Sequence, residues 1–158
     1  MPNQPPPLVL DCARVVSYAL VHDIPYRRWG ALIVDGKPLE HVPRLAICVN
    51  LAEDMAPALF HCDDEWKVLG CTGGEAIEEL KERAEKNYPG VASRWVDLNT
   101  SVEDALSYYD AAFGAEKCSF CGKRPFEIEQ WIEGNDARIC GGCIEEFHGT
   151  LDKRGASG

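Results

Sequence analysis

The chain has 158 residues, 46% hydrophobic and 27% charged, with 26 Asp and Glu against 16 Lys and Arg and a formal net charge of −10. These proportions describe an ordinary folded chain of one or two domains and exclude a low-complexity one. No apolar run approaches the ~20 residues of a membrane-crossing helix, and the acid excess argues against a phosphate-binding surface.

Residues 1–7, with Pro2 and the run Pro5-Pro6-Pro7, read as a loose, extended lead-in. No basic stretch followed by an apolar core marks a signal peptide there, so the expected location is cytoplasmic. Residues 8–99 read as an α+β domain. Val9 to Val21 fits a helix on Cys12, Ala13, Val16, Ala19 and Leu20, but its valines and tyrosine favour a strand. Trp29 to Val34 is a further strand, closed by the Asp35-Gly36 hairpin signal. Leu45 to Leu51 suits a central strand, Ala58 to Cys62 its neighbour, and Trp66 to Gly70 returns from the acidic turn Asp63-Asp64-Glu65. The expectation over residues 8–71 is an antiparallel meander.

A helix is predicted over residues 74–87, with Ile77, Leu80 and Ala84 as its stripe, Tyr88 at its end and Pro89-Gly90 as its stop. Glu79 with Arg83, and Glu82 with Lys86, are favourable i,i+4 pairs. Trp95 to Leu98 reads as another strand. Thr100 and Glu103 form a capping box for a connecting helix over residues 100–114, with a Val102, Leu106, Tyr109 and Phe113 stripe. The fold class is therefore α+β: an antiparallel sheet with one or two helices, followed by a small C-terminal module.

That module carries the clearest chemistry. Cys118-Ser-Phe-Cys121 and Cys140-Gly-Gly-Cys143 are two C-x-x-C pairs at the separation of a four-thiolate zinc site. With all four positions filled by protein, one structural zinc is expected, and no open position for a substrate. Two disulfides, rubredoxin-like iron and accidental spacing are the competing readings; the cytosolic expectation and the doubled motif favour zinc. Phe126, Ile128, Gln130 and Ile132 alternate with Glu127, Glu129, Trp131 and Glu133, a strand period, and Glu133-Gly134-Asn135-Asp136 is a turn. Ile144, Phe147 and Leu151 then follow at helical steps.

Cys118-Ser-Phe-Cys-Gly-Lys123, the glycine-turned hairpin and Ile139-Cys-x-x-Cys-Ile144 resemble the N-terminal zinc-binding domain of the ClpX protein unfoldase. The resemblance covers residues 115–152, with a flexible tail expected over 153–158. It implies a treble-clef zinc module that dimerises and binds substrate or adaptor peptides. It implies no unfoldase activity, because the chain contains no G-x-x-x-x-G-K-[ST] phosphate loop.

Outside the module, His61-Cys62 beside Asp63-Asp64-Glu65 is the one tempting catalytic cluster. Neighbours on a strand point to opposite faces, so a buried Cys62 and a surface His61 is the preferred reading, and Cys12, Cys48 and Cys71 are read as packing residues too. The acidic turn lacks the pattern of a calcium loop. Trp131, on the glutamate side of the hairpin, is expected to be an exposed anchor. The expected function is non-enzymatic: docking of a protein partner, or of a second copy as a homodimer, through Phe120, Trp131, Ile132 and Phe147. The chain also vaguely resembles small bacterial toxin-immunity proteins around Phe60 to Gly70 and Ile77 to Trp95, which would make it a toxin-neutralising immunity protein. A Cys62-dependent enzyme is the rival class. Neither nucleic acid nor membrane is expected as a partner.

Overall fold

The computed structural model of the chain describes residues 3–30, 32–52 and 56–156. It forms two compact units, residues 1–108 and 109–158, and helix α2 spans the boundary between them. Among the described residues, no helix is long and apolar enough to cross a membrane.

The first unit is built on an antiparallel sheet. Strand β1 (Val9–Leu10) turns through Asp11, at φ 51°, into β2 (Ala13–Leu20). The short hairpin β3 (Ile33–Val34) and β4 (Lys37–Pro38) pairs only with itself and is not hydrogen-bonded into the main sheet. Then come β5 (Arg44–Asn50), β6 (Ala58–Cys62) and β7 (Val68–Gly73), giving the order β1-β2-β5-β6-β7. Strand β8 (Val96–Asp97) pairs with β2.

Val9 to Leu20 is thus strand, interrupted by a tight turn, and Val21 follows its end. Its double reading has a physical cause in a bulge. The pairing of β2 with β5 shifts register between Val15 and Ser17. An extra residue reverses the faces of everything beyond it. Ala13 and Val15 therefore join one core, with Ala46, Cys48, Phe60, Cys62 and Trp66. Ala19 and Val21, of the same parity, join the other, with Leu45, Ile47 and Leu59. Helix α1 (Ile77–Asn87) covers this second face through Leu80, Ala84 and Tyr88, all essentially fully buried. The Glu79–Arg83 pair forms as expected, at 2.7 Å.

Several expected elements differ. Only Ile33–Val34 of the expected strand from Trp29 is extended and paired, and Ala31 lies outside the described residues. The Asp35-Gly36 turn itself forms, with φ values of 52° and 75°. The lead-in is not loose: Pro6 is buried and the Trp66 indole N–H donates to the Gln4 carbonyl at 3.0 Å, while Met1 and Pro2 lie outside the described residues. Helix α2 (Val102–Phe113) is capped by Ser101, whose Oγ accepts from the Asp104 N–H at 3.0 Å, not by Thr100. The Thr100 carbonyl instead accepts from Arg14. Ala105 and Tyr109 are its buried residues, while Val102 and Phe113 are exposed.

In the second unit, β9 (Trp131–Gly134) and β10 (Ala137–Cys140) form a hairpin closed at Asn135-Asp136, and helix α3 (Gly141–Gly155) follows. The strand expected to begin near Phe126 begins only at Trp131. Pro125 opens a 3₁₀ turn over Pro125–Glu127, and the Glu127 carboxylate accepts from the Arg124 N–H at 2.7 Å, which stops the chain from extending there. The tail expected from residue 153 is helical to Gly155; Ser157 and Gly158 lie outside the described residues.

Candidate metal centre

Cys118 and Cys121 sit on a tight knuckle. The Cys118 N–H donates to the Lys123 carbonyl and the Gly122 N–H to the Cys118 carbonyl, both at 2.9 Å. Gly122 takes φ 74°, which a side chain would resist. Cys140 ends β10 and is the N-cap of α3, which places Cys143 in the first helical turn. The Gly141 N–H donates to the Gln130 carbonyl at 3.0 Å and locks hairpin to helix.

The four sulfurs converge within 4.8 Å of one another, and Cys118, Cys140 and Cys143 are buried. Cys118 Sγ lies 3.9 Å from Cys143 Sγ, and Cys121 Sγ 3.7 Å from Cys140 Sγ. A tetrahedron with zinc–sulfur bonds of about 2.3 Å has edges of about 3.8 Å. A disulfide needs about 2.05 Å, so the spacing fits a shared ion and not two bridges.

The backbone supports the charge this implies. The N–H of Cys121 foremost, then those of Cys140 and Phe120, holds the Cys118 thiol down to about 6, and the Cys140 N–H lies 3.4 Å from its sulfur. Burial pushes the Cys143 thiol up to about 12, helped by the neighbouring sulfurs. Four adjacent thiolates are thus unfavourable alone, and a dication is what reconciles them. When bound, zinc supplies cross-linking here and no open coordination position.

Around the site, Asp110 at the end of α2 accepts from Arg124 at 2.8 and 2.9 Å and meets Lys117 at 3.1 Å. The Arg124 hydrogen bonds foremost hold the Asp110 carboxyl well below the usual carboxylate range. Tyr109 packs edge-on against Phe126 at 5.2 Å. Lys117 and Arg124 flank the knuckle, but the Asp110 that pairs with both lies on α2, and no local motif announces that pairing.

A knuckle, a hairpin and a helix that share four thiolates define a treble-clef-like C4 zinc finger. Residues 116–153 match the family model of the ClpX C4-type zinc finger. No solved structure matches the chain. The chain is therefore a zinc-binding protein, with one zinc held by Cys118, Cys121, Cys140 and Cys143.

The expected docking residues divide. Phe120 is 59% exposed, Ile132 63% and Phe147 39%, and Phe120 packs edge-on against Phe147 at 5.3 Å. Trp131 is not the exposed anchor expected of it: it is half-buried under the Arg138 guanidinium, 4.9 Å from the ring centroid, and Arg138 is held in turn by Glu133 at 2.9 Å. Ile144 and Leu151 are also exposed, so the stripe of α3 faces outward more than its periodicity implied.

In the first unit, Cys62 is fully buried, and burial pushes its thiol up to about 12. His61 is half-buried, not fully on the surface as expected. It lines a cavity on the α1 side of the sheet, opposite Cys62, and burial lowers its pKa to about 4. Cys48 is buried, as expected of a packing residue, Cys12 is half-buried, and Cys71 is exposed on β7.

Proposed function

We propose that the zinc module is a docking device, through which the chain binds a basic protein partner or a second copy of itself, and that the chain is not an enzyme. The observation that carries this is the exposed Phe120–Phe147 ring pair, flanked by exposed Ile144 and Leu151 on one helix. Aromatic side chains left in water on a small rigid scaffold are the usual anchors of an interface. Zinc fixes the elements that carry them. The acid excess makes a basic partner the charge-matched class. Lys117 and Arg124, which flank the Cys118–Cys121 knuckle, are both engaged by Asp110, which argues against phosphate binding. The high thiol pKa of Cys62, and its separation from His61 by the sheet, argue against a thiolate nucleophile.

The test is a Phe120→Ser/Phe147→Ser double variant of the full chain. Sedimentation across a range of concentrations, with affinity capture alongside, should show self-association or partner retention lost while zinc content is kept. Unchanged association in the variant contradicts the assignment of this face.

A further inference from the structure

The first unit contains a cavity of about 380 Å³ between α1, the β6–β7 surface and the segment that includes the β3–β4 hairpin. Its volume falls in the range of small-molecule sites, roughly 300–1,000 Å³. The roof is closely fitted. A Cβ on Gly70, paired with His61 across the strands, would stand 3.0 Å from Val34 Cγ2 and 3.1 Å from Leu32 Cδ2, so any larger residue there would force these two side chains to shift. Leu32, Leu39 and Leu59 supply aliphatic wall, Tyr26 and Trp29 aromatic wall.

Most polar groups at the cavity are already engaged. Tyr26 OH donates to the Leu39 carbonyl at 3.2 Å, and Asn87 Nδ2 donates to the carbonyls of Arg27 and Trp29. Arg83 donates to Glu79 and to the Gly73 carbonyl, and Glu40 pairs with Arg28. His61 and Thr72 are different: among the described residues neither side chain has a hydrogen-bond partner. Leu59 pairs with Thr72 and His61 with Gly70, so His61 and Thr72 sit diagonally on one face of adjacent strands, both lining the cavity.

We propose that this cavity binds a small uncharged aromatic molecule carrying one hydroxyl or amide group, which hydrogen-bonds to His61 and Thr72. The ligand is uncharged because each ionised side chain of the wall already has its counter-charge. It is aromatic because Tyr26, packed against Tyr88, and Trp29, with Lys86 over its ring, line the wall and extend an aromatic cluster that a further ring would join. A neutral imidazole beside a hydroxyl presents both donor and acceptor, which a hydroxyl or amide answers and a hydrocarbon leaves unpaired.

The experiment titrates the zinc-loaded full chain with p-cresol, followed by ¹⁵N NMR, with toluene and benzoate as comparators. The proposal predicts saturable shifts at residues 59–61, Thr72 and the Tyr26–Leu39 segment, including the His61 ring nitrogens. Benzoate should bind about tenfold more weakly than p-cresol. His61→Phe should weaken p-cresol about three- to tenfold and leave toluene unchanged. Thr72→Val, close in shape and on a half-buried strand position, makes the same comparison if His61→Phe does not fold. Absence of saturable shifts at these residues in the unaltered chain overturns the proposal. Tighter binding of benzoate, or p-cresol affinity unchanged in a folded variant, also overturns it.

Discussion

Acid should weaken the first unit through His61 in particular. Burial lowers its pKa from 6.5 to about 4, so the folded chain holds this imidazole neutral where the unfolded chain protonates it. The unfolded state then binds more protons between those two values, and stability falls as pH drops through that window. Above pH 6.5 the effect is absent, and below pH 4 it is complete. The full difference corresponds to about 3 kcal/mol, and the step from pH 7 to pH 5 to about 2 kcal/mol. Urea unfolding, read by NMR signals of the β5–β6 core at the two pH values, measures the loss. His61→Gln removes the titrating group, so the variant should lose about 2 kcal/mol less than the unaltered chain over the same step. Equal losses in the two proteins would refute a His61 held neutral by the fold.

Two further predictions concern cysteine chemistry and backbone geometry. In the native chain at neutral pH, Cys71 should alkylate readily, while Cys48 and Cys62 react only after unfolding, because both are buried with raised thiol pKa values; mass mapping after a timed iodoacetamide pulse reads this directly. Gly122→Ala places a side chain at φ 74° in the metal knuckle and should destabilise the module by about 1 kcal/mol, seen as earlier zinc release on chelator titration.

The zinc ligands were legible because their signal is local: two C-x-x-C pairs and a glycine turn need no knowledge of distant contacts. The strand order over β5, β6 and β7 was legible for the same reason, since short apolar runs and turn residues mark each strand. What was hidden depends on tertiary context. The bulge in β2 reverses core faces within one strand, so its periodicity mimicked a helix as well. His61 was read as a surface residue because strand alternation says which face it takes but not that a hairpin from Leu32 to Leu39 roofs that face. Trp131 was read as exposed because nothing local announces Arg138, seven residues on, lying over its ring. The Ile144, Phe147 and Leu151 stripe was legible as one apolar helix face, but helical periodicity does not say what covers it, so the exposure of Ile144 and Leu151 was not.

The central claim is a single zinc held by four thiolates that builds the C-terminal module. Native mass spectrometry of the purified full chain, before and after a strong chelator and with NMR in parallel, tests it most directly. One zinc per chain is predicted, and its removal should abolish the dispersed signals of residues 116–153 while those of the β-sheet unit persist. A chain that carries no zinc, or whose C-terminal signals stay dispersed once the metal is gone, would contradict it.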